Sequence, residues 1–140
     1  MRIKYFILAV LFFLFEASSV SAAAPVISNP PTTIDTETEF SLFVSMSGLS
    51  SNTIYRLRIA LATTGTSNYF GSTFSGSSWY NGTPSPINYA NFLSITTDSS
   101  GGWSGTLQGK IESSDPNFPG TSGTYDLKVG RYTENGSSPT

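Results

Sequence analysis

Apolar and polar side chains alternate along two consecutive stretches of this chain. In residues 38–48, TEFSLFVSMSG, the apolar face is formed by Phe40, Leu42, Val44 and Met46. In residues 53–62, TIYRLRIALA, it is formed by Tyr55, Leu57, Ile59 and Leu61. A period of two is typical of a strand with one buried face, so we predict two strands, with Arg56 and Arg58 on the outer side of the second. Phe43 breaks the alternation, and we expect it to be partly exposed.

Five further segments have strand-like composition and are separated by Gly, Pro, Ser or Asn turns. They are residues 26–27, the aromatic stretch 68–82, and residues 91–97, 103–111 and 123–132. Within the aromatic stretch, a Ser-Gly-Ser-Ser turn at 75–78 separates an aromatic strand from a second short aromatic segment. In the last segment Tyr125, Leu127 and Val129 should point inward, and Asp126 and Lys128 outward. No stretch beyond the first 22 residues shows sustained helical periodicity. The chain is therefore predicted to be all-β, an antiparallel β-sandwich of about seven strands.

The first 22 residues have the pattern of a secretory signal peptide. Arg2 and Lys4 precede an apolar run at 5–15, which is followed by small residues up to Ala22. The apolar run is shorter than the roughly 20 residues that cross a bilayer. We expect cleavage after Ala22, a single domain over residues 23–140, a secreted or cell-surface location, and no stable membrane insertion after cleavage.

Charge and missing residue types exclude several functions. Beyond residue 22 the chain has five Lys or Arg against eight Asp or Glu, a net charge of −3. Such a surface repels nucleic acid. His and Cys are absent from the whole chain, which removes Ser-His-Asp and Cys-His nucleophiles, ordinary zinc sites and disulfides. We expect no cofactor and no nucleic-acid partner.

Acidic residues provide the remaining options for catalysis or metal binding. Asp35, Glu37 and Glu39 have a spacing of two, so on a strand they would share a face and could act as acid and base in glycoside hydrolysis. Alternatively, they form the solvated entry to the strand that follows. Asp98 and Asp115 could offer oxygen ligands to calcium, or bond to their own turns. We expect that the first three carboxylates form the solvated entry and that Asp98 and Asp115 bond to their own turns. We therefore expect no catalytic residue and no metal site.

Aromatic residues concentrate between positions 69 and 80 and form the candidate ligand-binding set. Its members are Tyr69, Phe70, Trp79 and Tyr80. Such rings stack on the apolar faces of sugars while neighbouring Ser78 or Asn81 bonds to hydroxyls. In the alternative interpretation, alternate rings fill the core and the others cover the sheet edge.

Two stretches resemble immunoglobulin-like domains. Residues 121–129, TSGTYDLKV, resemble the start of strand F, and residues 98–107, DSSGGWSGTL, are similar to a hairpin of bacterial Ig-like surface repeats. The resemblance implies that Tyr125 is a tyrosine corner, whose hydroxyl bonds to upstream backbone. Leu57 occupies the place of the core tryptophan, and no cysteine pair exists, which favours a bacterial Ig-like or fibronectin type III-like module.

The resemblance also implies that the last strand, G, is missing. Residues 134–140, ENGSSPT, are too polar to supply it. Either the sequence is a fragment of a longer exported protein, or the natural chain stops here. The free edge that results could accept a strand from a partner.

These observations predict a non-catalytic structural or adhesion module of a bacterial cell-surface or secreted protein. Its partners would be surface glycans or other protein domains. The alternative is a carbohydrate-binding module of a secreted enzyme, which requires Trp79 and Tyr80 to stand exposed in a row.

Overall fold

Two antiparallel sheets pack face to face in the computed structural model of this protein, which describes residues 22–136. Within that range the strands are β1 (Val26–Ser28), β2 (Glu39–Met46), β3 (Ile54–Thr63), β4 (Ser72–Phe74), β5 (Trp79–Tyr80), β6 (Leu93–Thr96), β7 (Trp103–Lys110) and β8 (Tyr125–Thr133). A short 3-10 helix spans Tyr89–Asn91. The all-β sandwich is thus confirmed, with eight strands.

The larger sheet has the strand order β1-β2-β7-β4-β5, and the smaller has the order β6-β3-β8. The longest pairs are β2 with β7, in which Leu42 lies opposite Leu107, and β3 with β8, in which Ile59 lies opposite Val129. Each of these long pairs turns most of its apolar side chains toward the other sheet and its remaining side chains outward. The strands therefore alternate apolar and polar positions, as the sequence does.

The core lies between the sheets and is built from the alternating positions that the sequence indicates. Its main cluster of buried residues is Leu42, Val44, Met46, Leu49, Tyr55, Leu57, Ile59, Ile95 and Leu107. A second cluster of Leu61, Phe70 and Ile111 closes one end. Phe43 is 49% exposed on the outer side of β2, which confirms that prediction. Each fully buried Leu or Ile side chain contributes about 1.5–3 kcal/mol through removal from water.

Asp98 builds the turn that leads from β6 into β7. Its carboxylate accepts hydrogen bonds from the backbone N–H groups of Ser100 at 2.8 Å and Gly102 at 2.9 Å. Gly101 has a φ of 77°, and a Cβ there would collide with the carbonyl oxygen of Leu49. Only glycine combines that backbone conformation with so close an approach. The DSSGG stretch therefore fixes the hairpin, as its composition predicts.

One prediction about strands is confirmed and another needs correction. The aromatic stretch forms two short strands, β4 and β5, on either side of the predicted Ser75–Ser78 turn, which is closed by the Ser75 N–H and the Ser78 carbonyl at 2.9 Å. Tyr125, Leu127 and Val129 do point toward the core clusters, but they are half-buried because β8 is an edge strand. The predicted signal peptide lies outside the described residues except for Ala22.

Candidate functional site

The outer face of the five-stranded sheet carries exposed side chains at its alternate positions. We call this the open face and define it as Val26, Ser41, Phe43, Ser45, Ser104, Thr106 and Gln108. Register places Phe43 opposite Thr106 and Ser41 opposite Gln108. Val26 and Phe43 are 57% and 49% exposed. The result is a sheet surface of hydroxyl and amide groups with two apolar side chains projecting from it.

The edge of the open face carries one aromatic and charged group, which we call the Trp79 patch: Phe74, Trp79, Lys110 and Glu112. Phe74 and Trp79 are opposite each other in the β4–β5 pair, and their ring centroids are 5.2 Å apart. The Lys110 ammonium lies 5.1 Å from the Trp79 ring centroid and 3.0 Å from a Glu112 carboxylate oxygen. An indole, a cation and a carboxylate are thereby held within one small surface.

Hydrogen bonds keep the carboxylates near this edge ionised. The pKa of Glu112 is lowered mainly because its carboxylate accepts a hydrogen bond from the Ser72 hydroxyl, and further because of Lys110. The pKa of Glu37 is lowered because its carboxylate accepts hydrogen bonds from the backbone N–H and the hydroxyl of Ser113. A general acid in glycoside hydrolysis needs a raised pKa. These two carboxylates are therefore suited to accepting hydrogen bonds, not to donating protons.

The prediction that Asp35, Glu37 and Glu39 could share a strand face is wrong. β2 begins at Glu39, and Glu37 has a φ of 60°, in the left-handed region. The backbone N–H of Thr38 bonds to the Asp35 carbonyl at 3.4 Å, which closes a turn. Asp35 and Glu37 therefore lie outside the strand that begins at Glu39, and Glu37 accepts hydrogen bonds from Ser113 instead.

The outer face of the three-stranded sheet is different, because residues 81–92 fold across it. We call this the covered face. Arg58, on the outer side of β3 as predicted, is only 6% exposed. Its guanidinium donates to the Asn81 carbonyl at 2.9 Å and lies 5.4 Å and 5.9 Å from the Phe92 and Tyr69 ring centroids. No carboxylate among residues 22–136 forms an ion pair with it, so these rings and that carbonyl stabilise the buried charge.

Four aromatic rings of the covered face pack against one another. Phe92 is 1% exposed, and its centroid lies 5.0 Å from that of Tyr80. Tyr89 and Tyr132 are 4.7 Å apart, and the Tyr80 hydroxyl accepts a hydrogen bond from the Asn88 N–H at 2.9 Å. Sequence reasoning missed Phe92, Tyr89 and Tyr132. The sequence contains one signal for Phe92. Because the neighbouring Leu93 points into the core, alternation places the Phe92 ring on the outer face, where a ring of this size is expected to be covered by another segment.

The structure places the four candidate ligand-binding aromatics in three different environments. Phe70 is 1% exposed in the core, with Phe118 and Tyr125 rings at 5.4 Å and 5.1 Å. Tyr69 and Tyr80 belong to the covered face, and Trp79 to the edge of the open face. The expectation that Trp79 and Tyr80 form a row is wrong, because neighbours on a strand point to opposite sides. Ligand binding by Tyr69, Trp79 or Tyr80 stays a prediction.

The two aspartates considered as calcium ligands both accept hydrogen bonds from backbone N–H groups, Asp98 in its own turn and Asp115 in its own loop and from the distant Gly71. Asp98 holds the turn described above. Asp115 is 4% exposed and accepts hydrogen bonds from the N–H groups of Gly71 and Asn117, both at 2.9 Å. Within residues 22–136 no three His, Cys, Asp or Glu side chains gather as a metal site would require. These carboxylates therefore have structural partners in the backbone.

A shallow depression of about 370 Å³ lies beside the covered face. Its walls are residues 86–90 together with Glu134 and Asn135. Glu134 is 3.7 Å from the Arg56 guanidinium at the rim. The depression lies between the covering loop and the residues after β8, away from the open face.

Comparisons with protein-family models, curated proteins and solved structures find no match for this chain. In the part of the chain that the structure describes, no helix has the length and apolarity needed to cross a bilayer. The function therefore has to be inferred from the chain's own residues.

Proposed function

We propose that this chain is a non-catalytic structural or adhesion module of an exported protein, secreted or on a bacterial cell surface, and that the open face is its contact surface. The observation that carries this proposal is the exposure of Val26 and Phe43 beside rows of hydroxyl and amide groups. Exposed apolar side chains within a polar rim are typical of protein interaction surfaces. The sequence pattern of residues 1–22 supports export.

Three features support an Ig-like module. The long pair β2–β7 stands where strands B and E pair in such sandwiches, and β3–β8 stands where C and F pair. The Tyr125 hydroxyl donates to the Thr121 carbonyl at 2.6 Å, which has the form of a tyrosine corner. Among residues 22–136, β8 is an outer strand of the smaller sheet, on the side where strand G pairs in Ig-like sandwiches.

The short side chains of the open face favour a large partner, another protein domain or an extended surface glycan. A sheet surface of this kind offers each partner group one or two contacts, so affinity requires many of them at once. Phe43 supplies an apolar anchor near the centre, and Ser41, Thr106 and Gln108 supply hydrogen bonds around it. Contacts of this kind give specificity without any reaction.

Binding to arrays of glycans and of extracellular proteins tests this proposal. The double variant V26S/F43S removes the apolar anchors of the open face, whereas I54S removes an apolar side chain of similar exposure, 40%, from β3. We expect V26S/F43S to weaken binding about tenfold or more, and I54S to leave it unchanged. Binding that survives V26S/F43S, or equal loss in both variants, would place the contact surface elsewhere.

A carbohydrate-binding module that uses Trp79 without Tyr80 beside it is a second candidate, and the Trp79 patch is the observation that favours it. A half-exposed indole offers an apolar surface to a sugar ring, and ionised Glu112 with Lys110 offers an acceptor and a donor beside it. Calorimetric titration with glycans selected on the array compares W79A, W79F and wild type. Loss in W79A with partial retention in W79F is expected; equal affinity of W79A and wild type would exclude this candidate.

A further inference from the structure

The outer edge of β8 presents backbone groups to a further strand. β3 is its only strand partner among residues 22–136. On β3, the Leu61 N–H and C=O bond to Phe70, and the Ile59 N–H bonds to the Thr73 hydroxyl, both on the side away from β8. Antiparallel strands alternate their bonding direction, so Ala60 and Ala62 bond to Lys128 and Asp126.

The same alternation directs the backbone N–H and C=O groups of Tyr125, Leu127 and Val129 toward the outer edge. A strand edge with such groups pairs readily with another strand. The inward side chains at these positions are half-buried and pack on both core clusters. A strand added at this edge would therefore gain hydrogen bonds and extend the core at the same time.

The residues of β8 are complementary to themselves around Leu127. Asp126 and Lys128 flank Leu127, and both side chains lie on the outer side of the sheet. If two copies pair antiparallel with Leu127 opposite Leu127, Asp126 of each copy faces Lys128 of the other. Opposite charges directly across a strand pair stabilise it. Tyr125 then lies opposite Val129 of the second copy, which joins the two apolar edges.

Other two-fold registers are less favourable. Centring on Asp126 or on Lys128 keeps outward-pointing backbone groups opposite one another, but it sets two Asp126 or two Lys128 side chains directly across the strand pair, where like charges are destabilising. Centring on Val129 would set Lys128 opposite Gly130 and leave the charges unmatched. It would also move the contact toward Arg131, whose guanidinium donates to the Ala23 carbonyl at 3.1 Å, where the amino-terminal segment already lies. The register centred on Leu127 confines the pairing to residues 125–129.

We propose that the protein forms a two-fold symmetric dimer by antiparallel pairing of β8 with β8 of a second copy, centred on Leu127. The two three-stranded sheets then become one six-stranded sheet, and each Asp126 carboxylate pairs with Lys128 of the second copy. Dimerisation leaves the open face of each copy accessible, so it does not depend on the function proposed above.

Sedimentation equilibrium of the protein expressed as the full 140-residue chain tests this proposal. We expect a monomer–dimer equilibrium in wild type, and a dissociation constant about tenfold higher in both D126K and K128D. The exchanged variant D126K/K128D restores the opposite-charge pairs and should recover the wild-type value. Because D126K and K128D change the net charge in opposite directions, a general charge effect cannot weaken both.

Amide hydrogen exchange provides a second measurement that does not depend on charge variants. Protection of the Leu127 and Val129 N–H groups should rise with protein concentration, while that of Thr106 on the open face should not. A wild-type chain that stays monomeric at all concentrations overturns the proposal. So does a dimer that tolerates D126K and K128D, or one that V26S/F43S abolishes.

Discussion

The outer faces of the two sheets differ in their exposure to solvent. On the five-stranded sheet, Phe43 stands 49% exposed among serine and threonine side chains. Outside the three-stranded sheet, residues 81–92 cover Arg58, and Phe92 is 1% exposed. Both faces carry outward-pointing aromatic side chains, yet only one set is accessible to a partner.

This difference teaches that aromatic residues on the outer side of a sheet do not by themselves indicate a binding site. Around Arg58 the rings stabilise a buried cation and attach a long loop, which is a structural role. No described residue covers the Phe43 ring, so only a binding partner could bury it. The roles assigned to the two faces can be tested by changing matched residues on each.

The largest expected contrast is between F92A and F43A. Removing the fully buried Phe92 ring should lower the free energy of unfolding by about 3–5 kcal/mol, because a cavity forms beneath the covering loop. F43A should change it by less than about 0.5 kcal/mol. Urea denaturation followed by fluorescence measures both. Similar losses in the two variants would mean that the faces are not structurally different.

Two glycines allow the attachment of the covering loop to be tested next. Gly82 and Gly76 have φ values of 91° and 99°, so alanine is strained at either position. At Gly82 the added Cβ would also lie 3.2 Å from the Arg58 guanidinium, whereas at Gly76 nothing lies within 4 Å. We expect G76A to cost about 1 kcal/mol and G82A about 1 kcal/mol more. Thermal unfolding compares them, and equal costs would show that Arg58 does not fix the loop.

A smaller effect is expected from Y80F. This variant keeps the ring that packs on Phe92 but removes the oxygen that accepts the Asn88 N–H. The loss of one hydrogen bond should cost about 1 kcal/mol. Hydrogen exchange at Asn88 should accelerate, while exchange in β7 stays unchanged. Unaltered exchange at Asn88 would argue against the bond as a support of the loop.

The smallest effect is an acid dependence confined to the edge of the open face. Because the pKa of Glu112 lies below its ordinary value of 4.5, its stabilising contribution is complete above that pH. The contribution is lost as the pH falls through the lowered value, since protonation weakens the bond from Ser72. E112Q should therefore show a shallower loss of stability between about pH 5 and pH 3 than wild type.

S72A is the matched control for that measurement, because it removes the hydroxyl that donates to Glu112. It should remove the larger part of the acid dependence that E112Q removes, because only the smaller contribution of Lys110 to the lowered pKa of Glu112 is left. The double variant S72A/E112Q should behave as E112Q does. An acid dependence that S72A leaves unchanged would show that the Ser72 hydroxyl is not the main cause of the lowered pKa.

The inner core was predictable from the chain because the alternation of apolar and polar residues within each strand shows which side chains point inward. Tyr55, Leu57, Ile59 and Leu61 are buried where a period of two places them, and DSSGG forms the turn its residues favour. The candidate site was less predictable. Its polar rows are the ordinary outer positions of β2 and β7, and nothing in their spacing distinguishes an open face from a covered one.

What the sequence alone determined is the all-β class, the inward set of each long strand and the partial exposure of Phe43. These depend on contacts that repeat every second residue along a single strand. The tertiary structure decided that Phe70 enters the core, that Tyr80 meets Phe92, and that Glu37 turns away from Glu39 to cap Ser113. Each of these depends on which distant segment lies beside it, and a local pattern of apolar and polar residues does not encode that neighbour.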